Sequence, residues 1–176
     1  MVFTELLEMV ERQHSFAVAD RIVERAGARG AYTSVGYYPD SELVALVAAL
    51  SSETGTPVPQ LLHAYGRHLL GRFRARFPAF FDTAPTAEVF LERLEPHVHA
   101  EVRKLYPTAS PPVLRFLRTP DELVLDYASE RGLADFAEGL LVGVLEHYRV
   151  DPAGLRREDP SGGVGTHVRF RLPRVA

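Results

Sequence analysis

The sequence predicts an α+β fold: a helical N-terminal half packed on a C-terminal part with a small antiparallel sheet of about four strands and one long helix. Three observations lead there. Before Tyr106, apolar residues recur at three- and four-residue spacing, as in helices with one buried face. After Tyr106 the composition shifts to branched, alternating segments separated by turn residues. Between the two late pairs of such segments, one helical pattern returns.

In order, Phe3 to Val10 sets Leu6, Leu7 and Val10 at helical spacing, and Phe16, Val18, Ile22 and Val23 repeat the pattern until Gly27 and Gly30 stop it. Ala31 to Tyr38 shows no clean alternation and reads as a loop. Asp40, ahead of S-E-L-V-A-L-V-A-A-L, reads as an N-cap of a helix that ends near Glu53, with Gly55 as its stop. The helix after T-P-V-P carries Leu61, Leu62, Tyr65, Leu69, Leu70 and Phe73 and breaks near Pro78. Its other face is basic, with Arg67, Arg72, Arg74 and Arg76; a solvated face is the plain reading and a binding patch the alternative.

Thr86 is a candidate cap for a long helix over residues 87–105, with Phe90, Leu91, Leu94, Val98, Val102 and Leu105 as its apolar stripe. Val113 to Leu117 and Glu122 to Ala128, joined by the turn T-P-D, form a predicted hairpin. The helix from Gly132 or Leu133 to Val150 ends before Asp151 and Pro152. Strands at Leu155 to Glu158 and Thr166 to Leu172, with P-S-G-G between them, complete the sheet. The 176 residues fit a single domain large enough to bury its own core.

Hydrophobic residues are 46% and charged residues 24%, which excludes a disordered chain, and a formal charge of -3 gives no case for nucleic acid or an anionic membrane. With no cysteine, disulfides, thiolate metal sites and a cysteine nucleophile are excluded, so any transition metal must rest on the seven histidines and on carboxylates. No run approaches the roughly 20 apolar residues of a membrane span, and the N-terminus lacks the pattern of a secretory signal, so the expected compartment is the cytoplasm. Glycine-rich phosphate loops, H-E-x-x-H and G-x-S-x-G are missing from the sequence.

Four features carry candidate chemistry. His99 and His97 lie on opposite margins of the stripe; residues two apart do not share a helix face, so both cannot hold one metal from a regular helix. A lone histidine there is more often solvated than ligating; the same holds for His63, His68, His147 and His167, while His14 at a helix end suits the local dipole. Glu101 is two residues from His99 and would point elsewhere. If the strand's extended backbone continues through Glu130, period two aligns Tyr127, Ser129 and Arg131, three donors with no internal acceptor that ask for an anion or a backbone carbonyl. The alternative is a packed tyrosine with the other two in water. Gly139 and Gly143, four apart beside Phe136 and Leu140, leave a smooth strip that either a neighbouring helix or a flat ligand could approach.

H-A-E-V-R-K-L-Y, the following P-P pair and the Y-A-S-E-R form of a Y-x-S-x-R motif together resemble the heme-nitric oxide/oxygen binding (H-NOX) family, related to the regulatory heme domain of soluble guanylate cyclase. The resemblance runs from F-T-E-L-L-E-M-V through F-A-E-G-L-L to the last strand. It implies heme b, iron protoporphyrin IX, held between the two halves, with His99 as the proximal iron ligand. It also implies that Tyr127, Ser129 and Arg131 bind the propionates and that Pro112 presses on the porphyrin. By order and spacing Val2, Leu6, Leu69, Phe73, Phe136 and Leu140 should line the distal side, and all are apolar. Oxygen-holding relatives resemble one another in a distal tyrosine where this chain has Phe136; bound oxygen gains from a hydrogen-bond donor and nitric oxide needs none.

The function this implies is a stand-alone sensor of nitric oxide, with carbon monoxide a second candidate gas. Binding would weaken the iron–His99 bond, relax the porphyrin from Pro112 and shift the two halves. The expected partner is a separate signalling protein such as a histidine kinase, a cyclic-di-nucleotide enzyme or a chemotaxis receptor, and no enzymatic activity of the chain itself is expected. Two alternatives stand beside it: a heme-free interaction module of the same fold, and a small-molecule enzyme using His99 with Glu95 or Glu101.

Overall fold

Helices α1 (Val2–Gln13), α2 (Phe16–Ala26), α3 (Asp40–Thr54) and α4 (Val58–Arg76) build the N-terminal half in the computed structural model. The structure describes residues 1–33, 36, 38–105, 110–160, 162–163 and 165–173, leaving aside the side chains of 101, 103, 105 and 173. Tyr106 of the sequence motif, the side chains of Leu105 and Glu101, and Ser161 of the predicted P-S-G-G turn fall outside it. Gly27 and Gly55 end α2 and α3 in the left-handed conformation, at φ 59° and 72°, where a Cβ would be strained. Ser15 caps α2 by accepting the Val18 N–H.

The cap of α3 corrects the sequence reading. Pro39 is the N-cap and Asp40 is the first helical residue, so its carboxylate makes no cap bond. After α4, a short helix α5 (Pro78–Asp82) starts on the proline expected to be only a break.

The predicted long helix is three pieces: α6 (Ala87–Arg93), a π-helical turn (Leu94–His99) and α7 (Ala100–Leu105). Thr86 caps α6 as expected, its hydroxyl accepting the Val89 N–H. Pro96 supplies the reason for the interruption: it has no N–H to donate and its ring crowds the carbonyl four residues back, so the helix widens there. The Ala100 N–H accordingly reaches the Glu95 carbonyl, five residues away. The stripe is buried at Phe90 and Leu91 and only half-buried at Leu94, Val98 and Val102.

Strands β1 (Val113–Arg118), β2 (Glu122–Ala128), β3 (Arg156–Glu158) and β4 (His167–Pro173) form one antiparallel sheet in the order β1-β2-β4-β3. Alternation along β4 buries Val168, Phe170 and Leu172 and turns Arg169 and Arg171 outward. There they meet Asp126 at 3.0 Å and Glu158 at 2.7 Å.

Helix α8 (Ala134–His147) crosses the inner face of the sheet and packs along α4. A Cβ at Gly66 would run into the Phe136 carbonyl and one at Gly139 into the His63 carbonyl, while one at Gly143 would lie 2.8 Å from Leu70. The smooth strip of α8 therefore receives helix α4, which decides between the two occupants left open by the sequence. Two apolar cores result, one among α1 to α4 and one between the sheet, α6 and α8. Phe73 and Leu140 pack against both.

The basic face of α4 is solvated as expected at Arg67, Arg74 and Arg76, with Arg72 half-buried. Arg72 Nε pairs at 2.6 Å with Glu5, a buried carboxylate on α1, and Arg67 pairs at 2.7 Å with Glu146 on α8. These arginines tie helices together.

Candidate functional site

The π-helical turn separates the two histidines. His97 is exposed, with Nδ1 3.2 Å from the Arg93 carbonyl. His99 is turned inward, its side chain 17% exposed, and its Nδ1 lies 2.9 Å from Glu95 Oε2. A carboxylate only accepts, so Nδ1 carries the proton in a neutral ring and Nε2 keeps the lone pair a metal needs. The sequence offers Glu95, the i,i+4 neighbour, only as an acid–base partner in the enzyme alternative; an acid and an imidazole four apart on one helix face are the signal for the contact.

At the far end of β2, Tyr127 is the last inward residue and is buried. Burial pushes its hydroxyl above the ordinary tyrosine range, and Ser129 and the Arg131 charge pull it partway back, so it remains a protonated donor at neutral pH. Ser129 continues the ladder by one bond, from its N–H to the Thr166 carbonyl at 2.8 Å. The chain then turns, and the Arg131 N–H reaches Ser129 Oγ at 3.3 Å. The predicted period-two alignment holds only to Ser129, because the strand gives way to a turn at Glu130 and Arg131.

The expectation that these donors have no internal acceptor is also corrected. Arg131 Nε lies 2.8 Å from Asp40 Oδ2 at the start of α3. The contact is an ion pair without hydrogen-bond alignment, since the buried Nε–H has no acceptor in line. The guanidinium is thus charge-compensated but not fully satisfied. Pro112 is half-buried immediately before β1, and the pairing of Val113 with Ala128 puts it at the same end of the sheet as Ser129.

Leu6 and Leu69 are buried, and Val2, Phe73, Phe136 and Leu140 are partly buried against the same helical core. A residue the sequence reading did not assign to this group belongs with it: Tyr65, fully buried on α4, with its ring centroid 5.4 Å from that of Phe136. Its hydroxyl donates to the Val2 carbonyl, and burial holds it well above the ordinary tyrosine range. Its position four residues before Leu69, on the same face of α4, was the available signal.

These residues fit heme chemically: an imidazole whose Nδ1 faces a carboxylate, a Tyr–Ser–Arg donor cluster with an under-satisfied guanidinium, and a set of apolar side chains on the helical core. Among the described residues no group of three or more His, Asp or Glu side chains could hold a bare metal ion. No described helix is long and apolar enough to cross a membrane.

An α+β domain of this topology belongs to the class of heme-based gas sensors, as the comparisons with known proteins establish. Residues 1–152 match the family model described as Haem-NO-binding. An A71G mutant H-NOX protein from K. algicida, solved in the Fe(II) unliganded state, is 30% identical with a TM-score of 0.87, over 99% of this chain and 95% of that one. The H-NOX from Shewanella woodyi, solved with IWP-051 bound in the Fe(II)CO state, is 32% identical with a TM-score of 0.81, over 99% and 93%. An H-NOX protein from S. oneidensis in the Fe(II)NO state shares the fold at 23% identity and a TM-score of 0.83, over 99% and 98%. No curated protein matches. The chain belongs to the Haem-NO-binding, or H-NOX, family.

Proposed function

We propose that residues 1–176 act as one sensor domain for nitric oxide in the cytoplasm, with His99 holding heme b through Nε2. The inward imidazole of His99, its Nδ1 already engaged by Glu95, carries this reading. Heme, when bound, would supply a ferrous iron able to bind a diatomic gas. Tyr127, Ser129 and Arg131 take the propionates, Arg131 by a two-point guanidinium contact, and Pro112 presses from the His99 side. On the other side Val2, Leu6, Leu69, Phe73, Phe136 and Leu140 exclude water.

Phe136 offers no hydrogen-bond donor, and the neighbouring Tyr65 hydroxyl is already donated to the Val2 carbonyl. A wall of this chemistry favours nitric oxide over oxygen, because oxygen gains from a donor that nitric oxide does not need. Solved relatives in nitric oxide and carbon monoxide states support a diatomic gas as the ligand class. A change in the hold of His99 on the group would free the segment that carries His99 and relieve Pro112. The two halves then shift, provided the gas binds one arrangement better than the other. The output goes to a separate signalling protein, a histidine kinase, a cyclic-di-nucleotide enzyme or a chemotaxis receptor; the domain senses and does not catalyse.

A heme-free interaction module is favoured by one observation, the Asp40–Arg131 pair, which compensates the guanidinium inside the chain. An absorption spectrum of the purified protein, reduced without air and exposed in turn to oxygen and nitric oxide, separates the two. A heme band that responds to nitric oxide and forms no stable oxygen complex is expected. A stable oxygen complex would make it an oxygen sensor, and no band after reconstitution would leave the interaction module.

A further inference from the structure

Glu95 has no role in the family resemblance, yet its carboxylate lies 2.9 Å from His99 Nδ1. The contact is sheltered: the His99 side chain is 17% exposed and that of Glu95 27%. Both residues belong to the π-helical turn, so the local widening forced at Pro96 sets their relative position. We infer that Glu95 is a positioning residue that fixes His99 as the Nδ1–H tautomer and makes its Nε2 a stronger donor to iron. This inference rests on the reading of His99 as the ligand.

The chemistry is that of an outer-shell acceptor. A hydrogen bond from Nδ1–H to a carboxylate draws the shared proton toward oxygen, which leaves more electron density on the ring and raises the basicity of Nε2. It also fixes the ring plane, so the lone pair keeps one direction. A backbone carbonyl or water in the same place would orient the ring with less electron release, because neither carries a full negative charge. The consequence for sensing is a proximal bond that is harder to break. The protein should therefore retain His99 on iron in a larger share of its nitric oxide complex than a variant without the carboxylate, and should favour ferric over ferrous iron more strongly.

The test uses the heme-loaded full chain and its Glu95→Gln, Glu95→Ala and His99→Gly variants. Resonance Raman of the ferrous protein reads the iron–histidine stretch, a redox titration reads the potential, and transfer to a heme-scavenging protein reads retention. Glu95→Ala is expected to lower the stretching frequency, raise the potential and speed heme loss by about 10- to 100-fold, the range for lost outer-shell partners. Glu95→Gln, which keeps an acceptor and loses the charge, should fall between, and this graded response is one that mere loss of packing would not produce. If Glu95→Ala binds too little heme to measure, Glu95→Gln alone still reads the stretch and the potential.

A band lost in His99→Gly but unchanged in both Glu95 variants overturns the role of Glu95 while keeping His99 as ligand. A band that survives in His99→Gly overturns the ligand assignment and the inference with it.

Discussion

The seam between α4 and α8 and the segment carrying His99 are opposite kinds of structure. In the seam two backbones meet: Gly66 faces the Phe136 carbonyl, Gly139 faces His63, and the arrangement leaves no room for a methyl group. In the His99 segment no residue from Leu94 to His99 is fully buried, the helix is widened, and apolar Leu94 and Val98 remain half-exposed. The seam is fixed by close packing, which has only one solution. The His99 segment is held by its own backbone and a few polar contacts, so its position can respond to what binds His99. A rigid seam and a compliant arm are the division of labour a sensor needs.

The strongest test of that contrast removes the arm's anchor. His99→Ala should abolish the proximal ligand, so the purified protein loses its heme band or shows one that no longer carries an iron–histidine stretch, while circular dichroism of the α4–α8 framework changes little. An unaltered stretch would mean that His99 is not the anchor of this arm. On the wall side, Phe136→Tyr adds a hydroxyl next to Tyr65, whose own donor is engaged by Val2. A stable oxygen complex in the ferrous absorption spectrum is the expected gain; none would mean that Phe136 does not face the gas.

Gly139→Ala drives a Cβ into the His63 carbonyl, which cannot rotate away. Overpacking of this kind costs about 2 kcal/mol, and at roughly 2–4 °C per kcal/mol for a chain of this size Tm should fall by some 4–8 °C. The same substitution at Gly71, where the space is open, serves as the control and should leave Tm unchanged or raise it.

The smallest effect is in pH. Burial, with Arg12 and Arg72 nearby, lowers the pKa of His68 in the folded state below its ordinary value near 6.5. The fold therefore prefers neutral His68: stability is present above the unfolded pKa and is lost as pH falls through it toward the folded value. Tm should decline between pH 7.5 and pH 5.5, and His68→Gln should flatten the slope.

The sequence revealed most of the fold because the helices have one buried face and β2 and β4 turn their apolar residues to α8. The cap at Thr86 and the stops at Gly27 and Gly55 are readable from local chemistry alone, while the Ser15 cap of α2 went unread. What escaped depended on residues distant in sequence or on a break in periodicity. Asp40 was placed as a cap because its sequence neighbours fit one, whereas its carboxylate faces Arg131, 91 positions along the chain. The i,i+4 spacing of Glu95 and His99 was the available signal for their bond, whereas the π-helical turn that holds them was signalled only by Pro96. Tyr65 was read as one member of an apolar face; its hydroxyl finds the Val2 carbonyl only after α1 folds onto α4.

The π-helical turn has a consequence for how the chain tolerates change. Such a turn is an α-helix that has taken in a surplus residue, so its two flanks, α6 and α7, are in different helical phase. Winding the same residues as a regular α-helix would rotate everything beyond the turn by about 100°, whereas deleting one residue between Glu95 and Val98 would turn the i+5 bond into an i+4 bond and leave the direction of the following helix nearly as it is. The direction in which His99 points is thus stored as an insertion, and a regular helix of the same length would carry the same histidine to a different face.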